Sequence, residues 1–503
     1  MKRDINRLAE GQYDCLIVGG GINGAAIANI AALNGLKVAL LEKNDFASGT
    51  SSKSTKLVHG GIRYLENFDF ELVREALRER SIQLKSAPHL VQPIPFIIPV
   101  YKNDKRPLWM MKVGVFLYDF LSGKHSIGQH QHLTAEQVLQ LEPNICSRNL
   151  VGGVMYYDAQ MNDARLVLEN ILMADKNGAH VANYVEVTEL LKENGKIVGV
   201  KARDVLTGQE FRVRATKTIC TVGPWTNEFL KLDHHQTKKK IRTTKGIHIV
   251  YKGQLTSHAL LITSRQDNRI FFVIPWMGNS LIGTTDTNYT KSPDCVEATS
   301  EDIEYLLQEA RRVFPKIEFK LRNIITTFAG LRPLIRKGGS PSKVSRKHLV
   351  YETHSGLVCV LGGKYTTYRK IAEDAVNFLM RDRLVDTRSL LPLYGGQKID
   401  DNPQVIAASY NVSVEIVKTL MSVYGSCYKD VLGLVDRDAR LKETVCEKPA
   451  VIKAQIVYAI EMEMAQKPED IIERRLPINY MNSHPNDCSK TISEIFKKYQ
   501  NQP

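Results

Sequence analysis

Residues 13–43, YDCLIVGGGINGAAIANIAALNGLKVALLEK, set the terms for everything around them. An apolar run from Tyr13 to Val18 predicts a strand, a glycine turn breaks it, a small-residue helix follows, and Lys37 to Leu41 predicts a second strand. Gly19, Gly21 and Gly24 make a GxGxxG spacing. Such a turn lets the backbone approach a pyrophosphate, while the positive N-terminal end of the helix faces the phosphates. Glu42, 18 residues beyond Gly24, closes the second strand. A carboxylate there accepts hydrogen bonds from an adenosine ribose and disfavours a 2′-phosphate. A lone glycine motif is weak evidence, but strand, turn, helix, strand and acid in register predict a dinucleotide-binding βαβ unit. Residues 15–36 carry no charge, yet their three successive glycines and three asparagines argue against a membrane span.

Outward from this unit, SGTSSKSTKLV (48–58) offers hydroxyls, Ser51 and Ser52 among them, and two lysines. It reads either as a polar loop or as a wrap for the diphosphate and ribityl parts of a flavin. HGGIRYLE (59–66) then sets His59, Gly60, Gly61 and Arg63 just ahead of a predicted helix. On residues alone, His59 is a loop-bonding histidine or a proton acceptor, and Arg63 a surface charge or a substrate contact. Thr218 to Val222 predicts a strand ending at Gly223, and strand ends of open α/β sheets are where ligands sit. SGLVCVLGG (355–363) predicts another, followed by Lys364, Thr366 and Thr367 at a strand-to-helix turn suited to an anion. There Gly363 allows close approach, and the threonines either donate to a ligand or cap the helix. Arg332 in GLRPLI stands in a loop context, His248 in KGIHIVY on an alternating strand, and Asp286 at a turn.

At 503 residues the chain is too long for one core, and its 43% apolar and 24% charged content is that of a folded protein. The net charge of +14 suits a small anion or an anionic surface. No zinc-finger spacing, RNA-binding motif or arginine-rich tail accompanies it, so no nucleic-acid partner is expected. The eight cysteines lie apart, without a CxxC pair or histidines at metal spacing. Reduced thiols, no metal and a cytoplasm-facing location are expected, with no secretory signal read at the N-terminus.

The blocks VGGGINGAAIA (18–28), TSSKSTKLVHGGIRYLE (50–66), NDARLVL (162–168), GPW (223–225), IPWMGNSLIGTTD (274–286), GLRPL (330–334) and GGKYTTYRKIAEDA (362–375) together resemble one family. They are similar, in order, to the FAD-dependent glycerol-3-phosphate dehydrogenases that feed respiratory quinones, within the group that includes D-amino-acid and glycine oxidases. EDIIERRLPI (469–478) resembles the acid and paired arginines of that family's C-terminal helical cap.

The resemblance implies noncovalent FAD, sn-glycerol 3-phosphate as substrate and a quinone as electron acceptor. His59, Gly60 and Gly61 would line the isoalloxazine, with His59 as proton acceptor. Arg63 and Arg332 would hold the substrate phosphate, Lys364 would stabilise the reduced flavin, and His248 and Asp286 would neighbour the substrate. Rival readings are an oxidase passing electrons to oxygen, an amine or amino-acid oxidase on the same scaffold, and a flavin-binding protein without turnover.

The fold class expected is α/β: a Rossmann-type FAD domain interleaved with an α+β substrate domain and followed by an all-α cap. FAD-domain pieces are placed at 10–90, 150–240 and 325–380, substrate-domain pieces at 90–150 and 240–325, and the helical domain at 386–503. KRPLWMMKVGVFLYDFLSGK (105–124) is too short and too interrupted to span a membrane. It reads equally as a buried helix or as one lying in a membrane interface. A peripheral location on the cytoplasmic membrane is expected, soluble cytoplasmic being the second choice, and a homodimer is compatible with either.

Overall fold

The computed structural model describes all residues except 234–238, 337–347, 381–384, 388–391, 482–485 and 501–503. The strand Gln12–Val18 lies inside an eight-stranded sheet, flanked in parallel by Val38–Leu41 on one side and Glu210–Cys220 on the other. Leu357–Gly362 and His180–Ala182 extend the parallel set, and His348–Glu352 pairs antiparallel at one edge. A hairpin, Val185–Glu193 and Lys196–Asp204, is added against the first half of Glu210–Cys220.

The glycine turn feeds the helix Ile22–Leu33, whose Ala25, Ala26, Ile27, Ala28, Ile30 and Ala31 are all buried. A helix apolar on every side needs cover on every side. Asp163–Lys176 and Tyr368–Met380 supply it, joining one core with the sheet.

A second, ten-stranded sheet runs Thr287–Tyr289, Ile241–Tyr251, Asn279–Gly283, Ile270–Trp276, Ala259–Thr263, Val91–Tyr101, Leu150–Met161 and Leu57–Val58. Ile324–Ile335 pairs along the whole of Ile241–Tyr251, and Gln131–Thr134 pairs with Leu150–Met161. Residues 150–161 and 325–335, which the sequence reading puts in the FAD-domain pieces, pair in the second sheet, as does Leu57–Val58 from the first piece. A strand's own alternation shows that it has faces but not which sheet it joins, because pairing partners lie far away in sequence.

The chain from 402 onward is mainly helical. Val414–Tyr424, Tyr428–Arg437, Lys453–Glu461 and Asn486–Gln500 surround one apolar cluster. The expected all-α cap also holds a small antiparallel pair, Thr444–Cys446 with Val451–Ile452. Cys446 and Cys488 form a disulfide with Cα atoms 5.5 Å apart, so the expectation of eight reduced thiols fails for these two. Their separation of 42 residues hid the pair, which forms because the helix Asn486–Gln500 packs on that short strand.

Residues 105–124 contain the helix Leu108–Ser122. Only Val115, Tyr118 and Ser122 are buried, while Trp109 is 69% exposed, Val113 50%, Phe116 55% and Phe120 68%. Steps of four, three and four residues put these apolar groups on one outward stripe. Among the described residues no helix is long and apolar enough to cross a membrane.

Candidate active site

A cavity of about 370 Å³ opens at the carboxyl ends of the parallel strands. Its lining includes Gly19, Gly21, Glu42, Ser51, Gly223, Gly363 and Lys364. The backbone N–H groups of Gly20 and Asn44 donate to Glu42 at 2.6 and 2.8 Å. Desolvation raises the Glu42 carboxyl above its ordinary range, and these two N–H donors oppose that shift. A carboxylate has about four acceptor sites, so capacity remains for a ribose diol.

Two features fit a dinucleotide. A Cβ at Gly24 would collide with the Gly19 carbonyl, so only glycine lets the helix start so close to the strand. Ser51 Oγ accepts from the Ile22 N–H at 3.0 Å, tying the serine loop to the helix N-terminus where phosphates are favoured. Ser52, in contrast, is buried beside the cavity and outside its lining.

The HGG segment bridges the two sheets. The Thr366 hydroxyl accepts from the His59 N–H at 3.2 Å and contacts its carbonyl at 3.3 Å, so it pins His59 rather than lining the cavity. Thr367 turns back to the Lys364 carbonyl at 3.4 Å. Lys364 Nζ stands 3.7 Å from the Tyr64 ring centroid, and a Cβ on Gly61 would come within 3.5 Å of it. Gly60 donates to Asp158 at 3.2 Å, in a buried group that also holds Arg80 and Tyr118. Arg63 is partly buried on the 3-10 turn Ile62–Asn67.

His248 and Arg332 share a face of the second sheet. The register pairs Thr244 with Arg332 and His248 with Phe328, and residues two apart on paired strands point the same way. Arg332 donates to Thr284 Oγ1 at 3.0 Å and to Asp286 at 3.2 Å. Gly246 lies beneath it, where any Cβ would strike the guanidinium. His248 is buried, stacked on Phe328 at 4.9 Å, with Nε2 3.0 Å from Thr55 Oγ1. Burial first, then the positive charges of Arg332 and Lys56, hold its pKa well below the ordinary value. Burial thus favours the neutral ring, whose Nε2 holds Thr55.

Sequence reasoning passed over the groups that hold this constellation in place. Lys56 Nζ is buried 2.6 Å from Asp163 and 2.7 Å from the Ser52 carbonyl, among the rings of Trp276, Phe328 and Tyr480. Asp45, also buried, meets Arg474 and Arg475 from the C-terminal helices. Asp163 belongs to NDARLVL, and Arg474 and Arg475 to EDIIERRLPI, but neither motif names its partner.

A family profile described as FAD dependent oxidoreductase matches residues 14–369, and one for the C-terminal domain of alpha-glycerophosphate oxidase matches 386–502. A glycerol-3-phosphate dehydrogenase of Synechocystis sp. is 39% identical over 502 residues, covering 95% of this chain and 90% of its own length. The aerobic glycerol-3-phosphate dehydrogenase of Bacillus subtilis is 36% identical, covering 98% and 93%. The crystal structure of the Bacillus halodurans glycerol-3-phosphate dehydrogenase complexed with FAD superposes with a TM-score of 0.81 at 30% identity, over 98% of this chain and 92% of that one. With the glycine turn, the acid and the second sheet all in place, the chain belongs to the FAD-dependent oxidoreductases, in their glycerol-3-phosphate dehydrogenase branch.

Proposed function

We propose that the protein oxidises sn-glycerol 3-phosphate to dihydroxyacetone phosphate with FAD and delivers the electrons to a respiratory quinone at a membrane surface. The observation that carries this reading is near-full-length similarity to glycerol-3-phosphate dehydrogenases, joined to one cavity lined by both Glu42 and Lys364. FAD, when bound, supplies the acceptor for the hydride leaving the alcohol carbon. Gly19, Gly21, Glu42 and Ser51 would hold its adenosine and diphosphate parts, with Gly60, Gly61, Gly223 and Gly363 letting the backbone come close.

His59 takes the hydroxyl proton, its loop fixed through Thr366. Arg332 and Arg63 bind the phosphate, for which a planar guanidinium offers paired donors. Arg332 already bonds Thr284 and Asp286, so its fork is oriented before substrate arrives. Lys364 supplies positive charge beside Gly61, where it favours an anionic reduced cofactor. The outward stripe of Leu108–Ser122 supports peripheral attachment to a membrane surface, and with it a lipid-soluble acceptor in preference to oxygen.

The test is anaerobic mixing of the FAD-loaded protein with sn-glycerol 3-phosphate while flavin absorbance is followed, then addition of a soluble quinone. Bleaching followed by recovery is expected. A folded, yellow protein that stays yellow overturns the substrate, and rapid peroxide formation under air replaces quinone by oxygen.

A further inference from the structure

The segment from Asn44 to Lys56 forms one wall of the dinucleotide cavity, and both its ends are held by the C-terminal region. At the first end, Asp45 is 1% exposed and accepts from Arg474 Nε at 2.6 Å and from Arg475 at both carboxylate oxygens, the longer contact being 2.8 Å. Burial alone would raise this carboxyl, but the Arg475 and Arg474 guanidiniums hold it below its ordinary range. Asn183 completes the group, donating to Asp45 at 2.9 Å and to the Met464 carbonyl at 3.0 Å.

The two residues after Asp45 pack directly against the glycine turn. The next residue, Phe46, is buried so close to Gly20 that a Cβ there would come within 2.8 Å of its ring. Ala47, one residue further, donates to the Gly20 carbonyl at 3.1 Å. At the far end, Tyr480 covers Lys56, with Nζ 5.2 Å from its ring centroid.

We propose that Arg474 and Arg475 are positioning residues for FAD: through Asp45 they hold the loop that presses the glycine turn into its cofactor-binding shape. The C-terminal region thereby belongs to the cofactor site, although none of its described residues lines the cavity. The proposal concerns FAD retention only, so it stands or falls separately from the substrate assigned above. A buried ion pair that loses one member leaves an uncompensated charge, which the loop relieves by moving towards water.

The same interface supplies its own control. Arg165 and Glu463 form a second buried pair, 2.6 Å apart, between the helix Asp163–Lys176 and the C-terminal region, and neither residue lines the cavity. FAD is titrated into full-length apoprotein while quenching of its fluorescence is read, with apo and holo melting temperatures recorded alongside. For Asp45→Asn and for Arg475→Gln, the FAD Kd is expected to rise about tenfold or more, and the melting gain conferred by FAD to shrink.

For Glu463→Gln, apo and holo forms are expected to lose melting temperature equally, with Kd within roughly twofold of the parent. Should the Asp45 and Arg475 variants yield no folded apoprotein, Arg474→Gln, which leaves Arg475 on Asp45, decides instead with an expected rise of about threefold. An unchanged Kd in the folded loop variants, or an equal rise in Glu463→Gln, overturns the proposal.

Discussion

Arg332 is the residue whose surroundings define its task most narrowly. A glycine lies under it, Thr284 and Asp286 steer it, and its strand neighbours leave it on the face that carries His248. Replacing it with lysine keeps a charge but loses the paired donors. The expected result for Arg332→Lys is a rise in KM for sn-glycerol 3-phosphate of about tenfold with kcat changed much less, read by steady-state kinetics with a dye acceptor. His59→Asn addresses the proton instead, so kcat is expected to fall by about a hundredfold or more while the FAD spectrum persists. His248 is a different kind of histidine: it is buried against Phe328, and burial with the charges of Arg332 and Lys56 holds its pKa below the ordinary value.

Among the elements, the helix Leu108–Ser122 is amphipathic the wrong way round for a core helix. Its large apolar groups face outward, so truncating them removes little packing. The double variant Trp109→Ser, Phe120→Ser is expected to lose co-sedimentation with anionic vesicles, while its melting temperature stays within about 2 °C of the parent. Equal vesicle binding by the variant would remove this helix from the membrane reading. The helix Ile22–Leu33 has no such freedom. Gly24→Ala forces a methyl onto the Gly19 carbonyl, and apoprotein carrying it is expected to bind FAD more weakly by about tenfold or more in a fluorescence titration.

Across the whole molecule, buried ionisable groups set the response to acid. The folded-state pKa of His248 lies below its unfolded value, so its contribution to stability is full above about pH 6.5 and is lost as pH falls towards the folded value. Asp45 has the same sign in a lower window: its contribution is full above about pH 3.9 and is lost as pH drops through its depressed pKa. The raised carboxyls of Glu42, Asp158 and Glu169 carry the opposite sign, so the His248 share is read as the difference between urea melts of the parent and of His248→Gln. In His248→Gln the slope between pH 7 and pH 5.5 should flatten, and an unaltered slope would assign that proton uptake elsewhere.

Local pattern carried the parts of the protein that local chemistry decides. The βαβ unit was legible because strand alternation, a glycine turn and a small-residue helix are properties of neighbours in sequence, and the structure has them at Gln12–Val18, Ile22–Leu33 and Val38–Leu41. Glu42, Gly223 and Lys364 were legible too, since a residue at the end of a predicted strand must stand at the sheet's carboxyl edge. Position in sequence could not say that residues 150–161 and 324–335 pair in the second sheet, that the outward stripe of Leu108–Ser122 faces solvent, or that Cys446 meets Cys488. Nor could it show Asp45 held by arginines more than 420 residues away, or Lys56 enclosed by rings from three separate segments. Backbone propensity and periodicity act over a few residues, and these the sequence determined by itself. Burial and ion pairing join groups that only the packed chain brings together, so the supports of the site belonged to the tertiary structure.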